Sequence, residues 1–290
     1  MDSQLLLSQF INGLGNGLIY FLIAVGFTVV FGLMNFVNFA HGAFFLLGSY
    51  LAFEVMGRDL SFWWALLLAP LVVGLVAAVI ERLLLRRLYR MSHTYQIVAT
   101  FALAIGVQEL VTLYWGANQF TLSPPDVLRD TVNIGATVYP VYRIFVVVLT
   151  LALAFGLWLL LERTRFGAML RAGSEDTEMV SSLGINIFKL FSVTFAAAAA
   201  LAALAGVLSG PMRSLGPTSG SEVLALAVVV VVVGGIGSYV GAFVAALVIA
   251  EVQSLAIIFA PAAGDVVIYV LMAAVLLAKS EVVLGRLSRA

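Results

Sequence analysis

The 290-residue chain has no cysteine, so it cannot form a disulfide, a thiol nucleophile or a cysteine-ligated metal site. Charged residues are also scarce, because only 15 residues are basic and 15 are acidic, which is 10% of the chain. Ordinary soluble domains are about 25% charged. So little charge cannot supply the polar surface of a soluble domain. This scarcity excludes a cytosolic globular enzyme, a disordered protein and a nucleic-acid-binding protein.

Apolar residues make up 63% of the chain and give it a mean hydropathy of +1.12. They form long continuous runs that do not alternate with polar residues, which favours membrane-spanning helices over a β-barrel. About 20 apolar residues are needed to cross a bilayer. We therefore predict an all-α polytopic bundle of eight or nine transmembrane segments, in which residues 1–290 form a single domain. The candidate segments are 10–33, 43–57, 61–80, 95–115, 141–161, 190–210, 223–236, 238–260 and 264–281, and both 43–57 and 223–236 are short for a full crossing.

The basic residues are unevenly distributed between the connections. If all nine segments cross, eleven of the fifteen basic residues fall on one side, and only Arg58, Arg129, Arg143 and Arg213 fall on the other. The side richer in Lys and Arg is normally cytoplasmic. We therefore expect an external N-terminus, a cytoplasmic C-terminus, a main external loop at 116–140 and a cytoplasmic connection at 162–189. The first segment follows no basic region and is too long for a signal peptide, so it is expected to remain as an anchor.

The connection at 162–189 is the most polar in the chain, and its middle is typical of a short amphipathic helix. Ser174 is placed to cap the helix N-terminus, and acidic residues follow in the first turn. Apolar residues then repeat at helical spacing, and Gly184 can end the helix in a left-handed conformation. Such a helix either packs on its own domain as a surface connector or docks into a groove of a partner protein.

The same connection carries a recognisable motif. Glu178, Met179, Val180 and Gly184 match the E-A-A-x-x-x-G spacing of the cytoplasmic loop of bacterial ABC importer permeases, with Met and Val at the two alanine positions. Residues 163–172, 32–42 and 234–242 resemble LivH-type permeases of branched-chain amino-acid importers. The resemblance covers nearly the whole chain in order and span layout.

This resemblance implies an ABC importer permease fold in a bacterial inner membrane, with no catalytic residue and no cofactor of its own. The chain has no P-loop, so ATP and Mg would be bound by two separate ATP-binding subunits. Other implied partners are a second, LivM-type permease and a periplasmic binding protein. Binding of nucleic acid is not expected. Implied substrates are leucine, isoleucine and valine, with urea or short amides left open. The residues expected to couple to the ATPase are Glu175, Glu178, Met179, Val180, Leu183 and Gly184.

A polar break interrupts the apolar run at 35–42. Its residues include Asn35, Asn38, His41 and Gly42. Backbone groups freed in lipid need hydrogen-bond partners, so such a break is tolerable only inside a bundle or beside water. Discontinuous helices commonly border the paths of transporters. The break is either part of a translocation path or gate, or a turn at the membrane surface.

A glycine-rich stretch, Gly234, Gly235 and Gly237, follows a run of six valines at 228–233. Its spacing does not match a dinucleotide-binding fingerprint. Gly237 and Gly241 form a small-x-x-x-small pair, as do Gly13 and Gly17, and such pairs let membrane helices approach closely. The stretch therefore indicates packing and a helix break, and the alternative is a constriction of the translocation path.

Two acidic residues, Glu109 and Glu251, lie inside predicted spans. An ionised group at mid-membrane costs roughly 2.5–3.5 kcal/mol on insertion scales, so both are expected to face the bundle interior or an aqueous cavity, or to be protonated. Glu109 lies nearer the outer end of its span, so a solvated position is open for it as well. They either form inter-helix hydrogen bonds or couple transport to protons. The second alternative defines a competing class, the proton-coupled secondary transporter, and a third class is a non-transporting membrane scaffold.

Overall fold

The computed structural model describes residues 3–89, 91–134, 137–260 and 264–287. Arg90 and Arg289, two of the eleven basic residues counted on the cytoplasmic side, lie outside the described residues. Asp2, the charged residue before the first segment, lies outside them as well. Within the described part, eleven α-helices follow one another along the chain. They are α1 (Ser3–Met34), α2 (His41–Gly57), α3 (Phe62–Leu83), α4 (His93–Trp115), α5 (Val141–Arg163), α6 (Arg165–Glu175), α7 (Thr177–Ser182), α8 (Ile187–Ser209), α9 (Ser219–Gly234), α10 (Tyr239–Phe259) and α11 (Gly264–Leu287).

The predicted all-α polytopic fold is confirmed. Six of the described helices are long and apolar enough to span a membrane, and α9 and part of α11 are shorter apolar helices. The count of eight or nine crossings stays a prediction. The sequence did not predict the small antiparallel hairpin in the 116–140 loop, formed by β1 (Thr131–Ile134) and β2 (Thr137–Pro140).

The bundle has two ends, which we name by what they carry. At the hairpin end, Phe120 and Leu215 exchange backbone hydrogen bonds of 2.8 Å, and the Tyr139 hydroxyl donates to the Ile11 carbonyl. At the connector end, α6 and α7 lie near the last turns of α1 and the first turns of α8. There Phe36 contacts Tyr89, with ring centroids 5.1 Å apart. Successive long helices therefore run between the hairpin end and the connector end.

Small residues bring the central helices together. A Cβ added to Gly48 of α2 would lie 2.3 Å from the Ala203 carbonyl oxygen of α8, and one added to Gly206 would lie 2.3 Å from the Phe45 carbonyl oxygen. The predicted Gly13 and Gly17 pair of α1 faces α10 in the same manner. Such contacts replace the hydrophobic driving force that is absent between helices in lipid.

Helices α1 and α8 form the middle of the bundle, and α3, α4 and α5 form part of its periphery. The candidate spans of α1 and α8 are 78% and 67% buried, whereas that of α4 is only 11% buried. Apolar side chains such as Leu67 on α3 and Leu113 on α4 point away from the chain's own core. An apolar exterior of this kind is expected where lipid or another membrane subunit replaces water.

Candidate functional site

The predicted break lies between α1 and α2, and its backbone is satisfied mainly by α4. The Val37 amide donates to Gln96 Oε1 at 3.1 Å, and the Phe39 amide donates to Thr100 Oγ1 at 3.0 Å. Asn38 contributes as well, because its Oδ1 accepts from the Ala40 amide at 3.1 Å. The freed backbone donors of the break are therefore held inside the bundle, which excludes an ordinary surface turn.

Helix α2 begins well inside the bundle and not at its end. The His41 ring donates from Nε2 to the Ile23 carbonyl oxygen at 3.0 Å, and Ile23 lies well inside α1. The carbonyl oxygen can only accept, so His41 carries a proton on Nε2. A Cβ on Gly26 would lie 2.9 Å from the His41 ring, which shows how closely α1 and α2 approach at this depth.

Helix α9 begins at the same place. A Cβ on Gly42 would lie 2.1 Å from the Gly220 carbonyl oxygen, and a Cβ on Gly220 would lie 2.8 Å from the Gly42 carbonyl oxygen. The non-helical segment 210–218 leads to this junction from the hairpin end, whereas segment 35–40 leads to it from the connector end. The sequence analysis missed this second break, although its Gly210-Pro211 and Gly216-Pro217 pairs are breaker signals.

The glycine stretch forms the turn between α9 and α10 at the connector end. Gly235 and Gly237 have φ angles of 97° and 77°, which side chains rarely adopt. A Cβ on Gly32 of α1 would lie 2.1 Å from the Gly237 Cα. The structure therefore supports packing and a helix break, as the sequence indicated. Gly237 lies in the turn before α10 and contacts α1, whereas Gly241 of α10 packs on Gly234 of α9, so the two glycines of the predicted pair allow close approach to two different helices.

The connector contains two helices where the sequence predicted one. Asp176, and not Ser174, caps α7, because the Asp176 carboxylate accepts from the Glu178 and Met179 amides at 3.0 and 2.9 Å. The Ser174 hydroxyl donates to the Arg171 carbonyl within α6. An ionised carboxylate is the stronger acceptor at a positive helix end. Gly184 has a φ of 83° and follows α7, as predicted.

The six residues predicted to couple to an ATPase do not all face the same way. Met179 and Leu183 are 54% and 73% exposed, and Glu175 and Glu178 are exposed as well. Val180 is only 1% exposed. Val180 therefore anchors α7 to its own domain, whereas the exposed apolar pair is the part available for docking.

A cleft of about 680 Å³ lies beside the connector. Its lining joins the two predicted sites, because Asn35 from the break faces Glu175 and Glu178 from the connector across it, with Phe188 of α8 also in the wall. His41, Gly42 and the α2–α9 junction lie deeper in the bundle.

A buried polar cluster that the sequence analysis missed links α3 to α8. Glu81 is fully buried and accepts from the Tyr89 hydroxyl at 2.8 Å and from the Ser192 hydroxyl. Arg86 lies 3.4 Å from the Glu81 carboxylate and donates to Ser192. Burial, and then the charge of Glu81, raise the pKa of Tyr89 above its ordinary value, so Tyr89 stays a donor. The predicted span ended at residue 80, which placed Glu81 in the connection outside the membrane.

The two acidic residues of the spans lie in different environments. Glu251 on α10 packs against α1, where a Cβ on Gly13 would lie 2.6 Å from its Oε2. Both carboxylate oxygens of Glu251 are buried without a hydrogen-bond partner among the described residues. Glu109 is exposed on the outer face of α4, so it does not face the interior of this chain's bundle, and the solvated position that the sequence left open for it stays a prediction. Its helix is peripheral and leaves that face to lipid or another subunit.

Comparison with known proteins identifies the family. A model described as the permease component of branched-chain amino acid transport systems matches residues 9–276. The chain is 33% identical over 294 residues to the high-affinity branched-chain amino acid transport system permease protein BraD of Pseudomonas aeruginosa, covering 97% of this chain and 96% of BraD. The chain belongs to this permease family.

Other members of the family span similar lengths. The high-affinity permease protein LivH of Escherichia coli K12 is 32% identical over 305 residues, which cover 99% of this chain and 98% of LivH. A probable LivH of Methanocaldococcus jannaschii is 29% identical over 245 residues, covering 81% of this chain and 76% of that protein. No solved structure matches the chain.

Membership of this permease family supports the assignment of the chain as a multi-pass membrane permease subunit. It disfavours the proton-coupled carrier and the scaffold. Within the described residues, no group of three or more His, Asp or Glu side chains is placed to hold a metal ion.

Proposed function

We propose that this chain is a permease subunit of an ABC importer that carries branched-chain amino acids into the cytoplasm of a bacterium. Two ATP-binding subunits, which hold ATP and Mg, would supply the energy. A LivM-type permease would complete the pore, and a periplasmic binding protein would deliver substrate. The near full-length similarity to BraD and LivH favours branched-chain amino acids over urea or short amides.

The observation that carries the coupling role is the division of α7 into two faces. Val180 is buried in the domain, whereas Met179 and Leu183 present an exposed apolar surface at the connector end. A helix fixed on one side and apolar on the other suits docking into a groove of a partner. Displacement of α7 would pass through α6 to α1, which leads into the break, and through the base of α8 to the cluster of Glu81.

The break and the α2–α9 junction are the proposed gate. Asn35, Asn38, His41 and Gly42 would move when the connector moves, and Gly234, Gly235 and Gly237 would form the hinge between α9 and α10. Glu251, whose carboxylate lacks a partner in this chain's described residues, would line the path or meet a neighbouring subunit. Helices α2 and α9 start inside the bundle, as discontinuous helices do in transporters.

The proposed orientation places the hairpin end in the periplasm and the connector end in the cytoplasm. The absence of cysteine allows a direct test. Cysteines are introduced singly at Val127 and Leu183, both strongly exposed, and intact spheroplasts are treated with a membrane-impermeant maleimide. Labelling is expected at Val127 alone, and labelling at Leu183 alone would reverse the orientation.

The function is tested by co-expressing the chain with its neighbouring transport genes and purifying it. ATPase subunits are expected to co-purify, and the complex in proteoliposomes should import radiolabelled leucine in competition with isoleucine and valine. Absence of an ATPase subunit would contradict the assignment. Competition by urea or acetamide, and not by valine, would correct the substrate class.

A further inference from the structure

A cavity of about 160 Å³ lies in the half of the bundle nearer the hairpin end. Its walls come from α1, α5, the first turn of α9 and the segment after α8. At its floor is Ile23, whose carbonyl oxygen accepts the His41 hydrogen bond. The cavity therefore sits directly on the hairpin side of the α2–α9 junction, and its polar lining includes Asn16, Arg143, Ser209 and Arg213.

Arg213 brings two unpaired N–H groups to this cavity. Its side chain is 34% exposed and its guanidinium carbon lies 5.9 Å from the Phe45 ring centroid, but the Nε and Nη2 atoms themselves are buried and have no hydrogen-bond partner among the described residues. The nearest carboxylate, Glu222, lies 3.8 Å from Nη2, which is an ion pair but too long for a hydrogen bond. Unpaired donors on a charged group are costly where water is excluded, so these two N–H groups are available to an acceptor that the described residues do not supply.

Arg143 adds a second positive charge to the lining. It enters from α5, and its Nη1 donates to Asn12 Oδ1 of α1, which is a neutral partner. The only carboxylate within ion-pair distance of either arginine, among the described residues, is Glu222, whose side chain is 58% exposed. Two guanidinium groups against one solvated carboxylate leave the cavity electropositive, which favours an anionic ligand.

The remaining lining is mostly apolar and suits a short branched chain. Ile19, Ile23, Met212 and Val223 supply this surface, together with the side chain of Tyr20. A cavity of about 150 Å³ is large enough for a six-carbon ring, so the space takes a small molecule and not a peptide. The Ser209 hydroxyl donates to the Ala205 carbonyl at 2.7 Å, so its oxygen lone pairs remain available to a ligand ammonium group.

We propose that this cavity is a substrate site that binds the carboxylate of a branched aliphatic amino acid at Arg213, with Arg143 providing additional positive potential. Nε and Nη2 of Arg213 form the fork that carboxylates accept in a bidentate manner. The aliphatic side chain of the ligand lies against Ile23, Met212 and Val223, directly before the α2–α9 junction. This inference rests on the proposed function and adds a site within a single permease subunit.

The test measures equilibrium binding of tritiated leucine to the purified permease–ATPase complex in nanodiscs, without the binding protein. Arg213→Gln should weaken binding about ten- to a hundredfold, which is the range for hydrogen bonds to a charged group. Arg213→Lys keeps the charge but loses the two-pronged N–H geometry, so its leucine affinity should lie between those of the wild type and Arg213→Gln. Leucinamide, which lacks the carboxylate, should compete poorly, and Arg129→Gln, a change at an exposed arginine of the 116–140 loop, should have no effect.

Glu222→Gln separates a binding role from a structural one. If Arg213 serves only to pair with Glu222, this variant should reproduce the loss caused by Arg213→Gln. If the cavity binds a carboxylate, Glu222→Gln should bind leucine at least as tightly as the wild type. Size-exclusion profiles of the complexes check assembly, and Arg213→Lys keeps the test decisive if Arg213→Gln does not assemble.

Unchanged leucine affinity in Arg213→Gln, equal competition by leucinamide, or no leucine binding to the wild-type complex at millimolar concentration would each overturn this site. Leucine uptake with the binding protein is measured on the same preparations. If the wild type imports leucine without showing this binding, only the cavity proposal fails. If the wild type imports no leucine, the proposed function fails.

Discussion

Gly42 and Gly220 hold the starts of α2 and α9 in direct contact, since a Cβ on Gly42 would lie 2.1 Å from the Gly220 carbonyl oxygen. Neither helix runs from one end of the bundle to the other. The two helices begin at the same depth in the bundle. The non-helical segment before α2 enters from the connector end, and the one before α9 enters from the hairpin end. This junction lies between the cavity of Arg213 and the connector end, and it is the gate in the proposed function.

Substituting Gly42 by alanine is expected to force this junction apart. Overpacking of a close contact costs about 1–3 kcal/mol, so the purified complex should melt at a lower temperature and lose most leucine uptake. Gly106→Ala on α4 is the matched control, because nothing lies within 4 Å of its added Cβ. Equal melting temperatures and uptake for the two variants would show that the junction is not tightly packed.

Thr100 on α4 is expected to be essential for holding the break. Thr100→Val removes the acceptor for the Phe39 amide and should cost about 1–3 kcal/mol, because a partly buried backbone donor is left unsatisfied. Thr100→Ser keeps the hydroxyl and should stay close to wild type in thermal stability and uptake. If Thr100→Ser and Thr100→Val behave alike, the methyl group and not the hydrogen bond supports the break.

Tyr89 is expected to stabilise the junction of α3 and α8 through Glu81. Tyr89→Phe removes a hydrogen bond to a buried carboxylate, which typically contributes about 1.5–3 kcal/mol. Thermal unfolding of the complex should therefore shift downward. Tyr95→Phe, at a tyrosine that is 66% exposed, is the control and should be neutral. A neutral Tyr89→Phe would mean that Glu81 is satisfied by Arg86 and Ser192 alone.

The two faces of α7 are expected to respond differently to substitution. Leu183→Glu places a charge on the exposed apolar surface and should abolish co-purification of the ATPase while leaving the thermal stability of the isolated permeases unchanged. Val180→Ala removes two buried carbons and should destabilise the permease by about 2 kcal/mol. Loss of ATPase binding in Val180→Ala alone would instead place the docking surface on the buried face.

Much of this architecture could be predicted from the sequence, because spanning helices follow directly from long apolar runs. The break at 35–42 was also predictable, since Asn35, Asn38 and His41 are costly in lipid. Its partners Gln96 and Thr100 were not, because their role depends on which helix packs beside the break. The spacing of apolar residues in α4 predicts a helix but does not show that this helix packs beside the break.

Other features required three-dimensional information for similar reasons. Glu81 sits one residue beyond its predicted span, and only the packing of α8 against α3 shows that Ser192 and Tyr89 enclose it. The segment 210–218 carries turn residues that suit both a surface loop and an inserted segment. Asp176 and Ser174 are both acceptable helix caps, so local chemistry did not choose between them.

The source of energy tests the central claim most directly. Proteoliposomes containing the purified complex and the binding protein are loaded with ATP or with a non-hydrolysable analogue, and accumulation of radiolabelled leucine is measured with and without a protonophore. The proposed function predicts accumulation that requires hydrolysable ATP, persists with the protonophore and disappears in the Leu183→Glu complex. Accumulation that proceeds without ATP and collapses with the protonophore would contradict it.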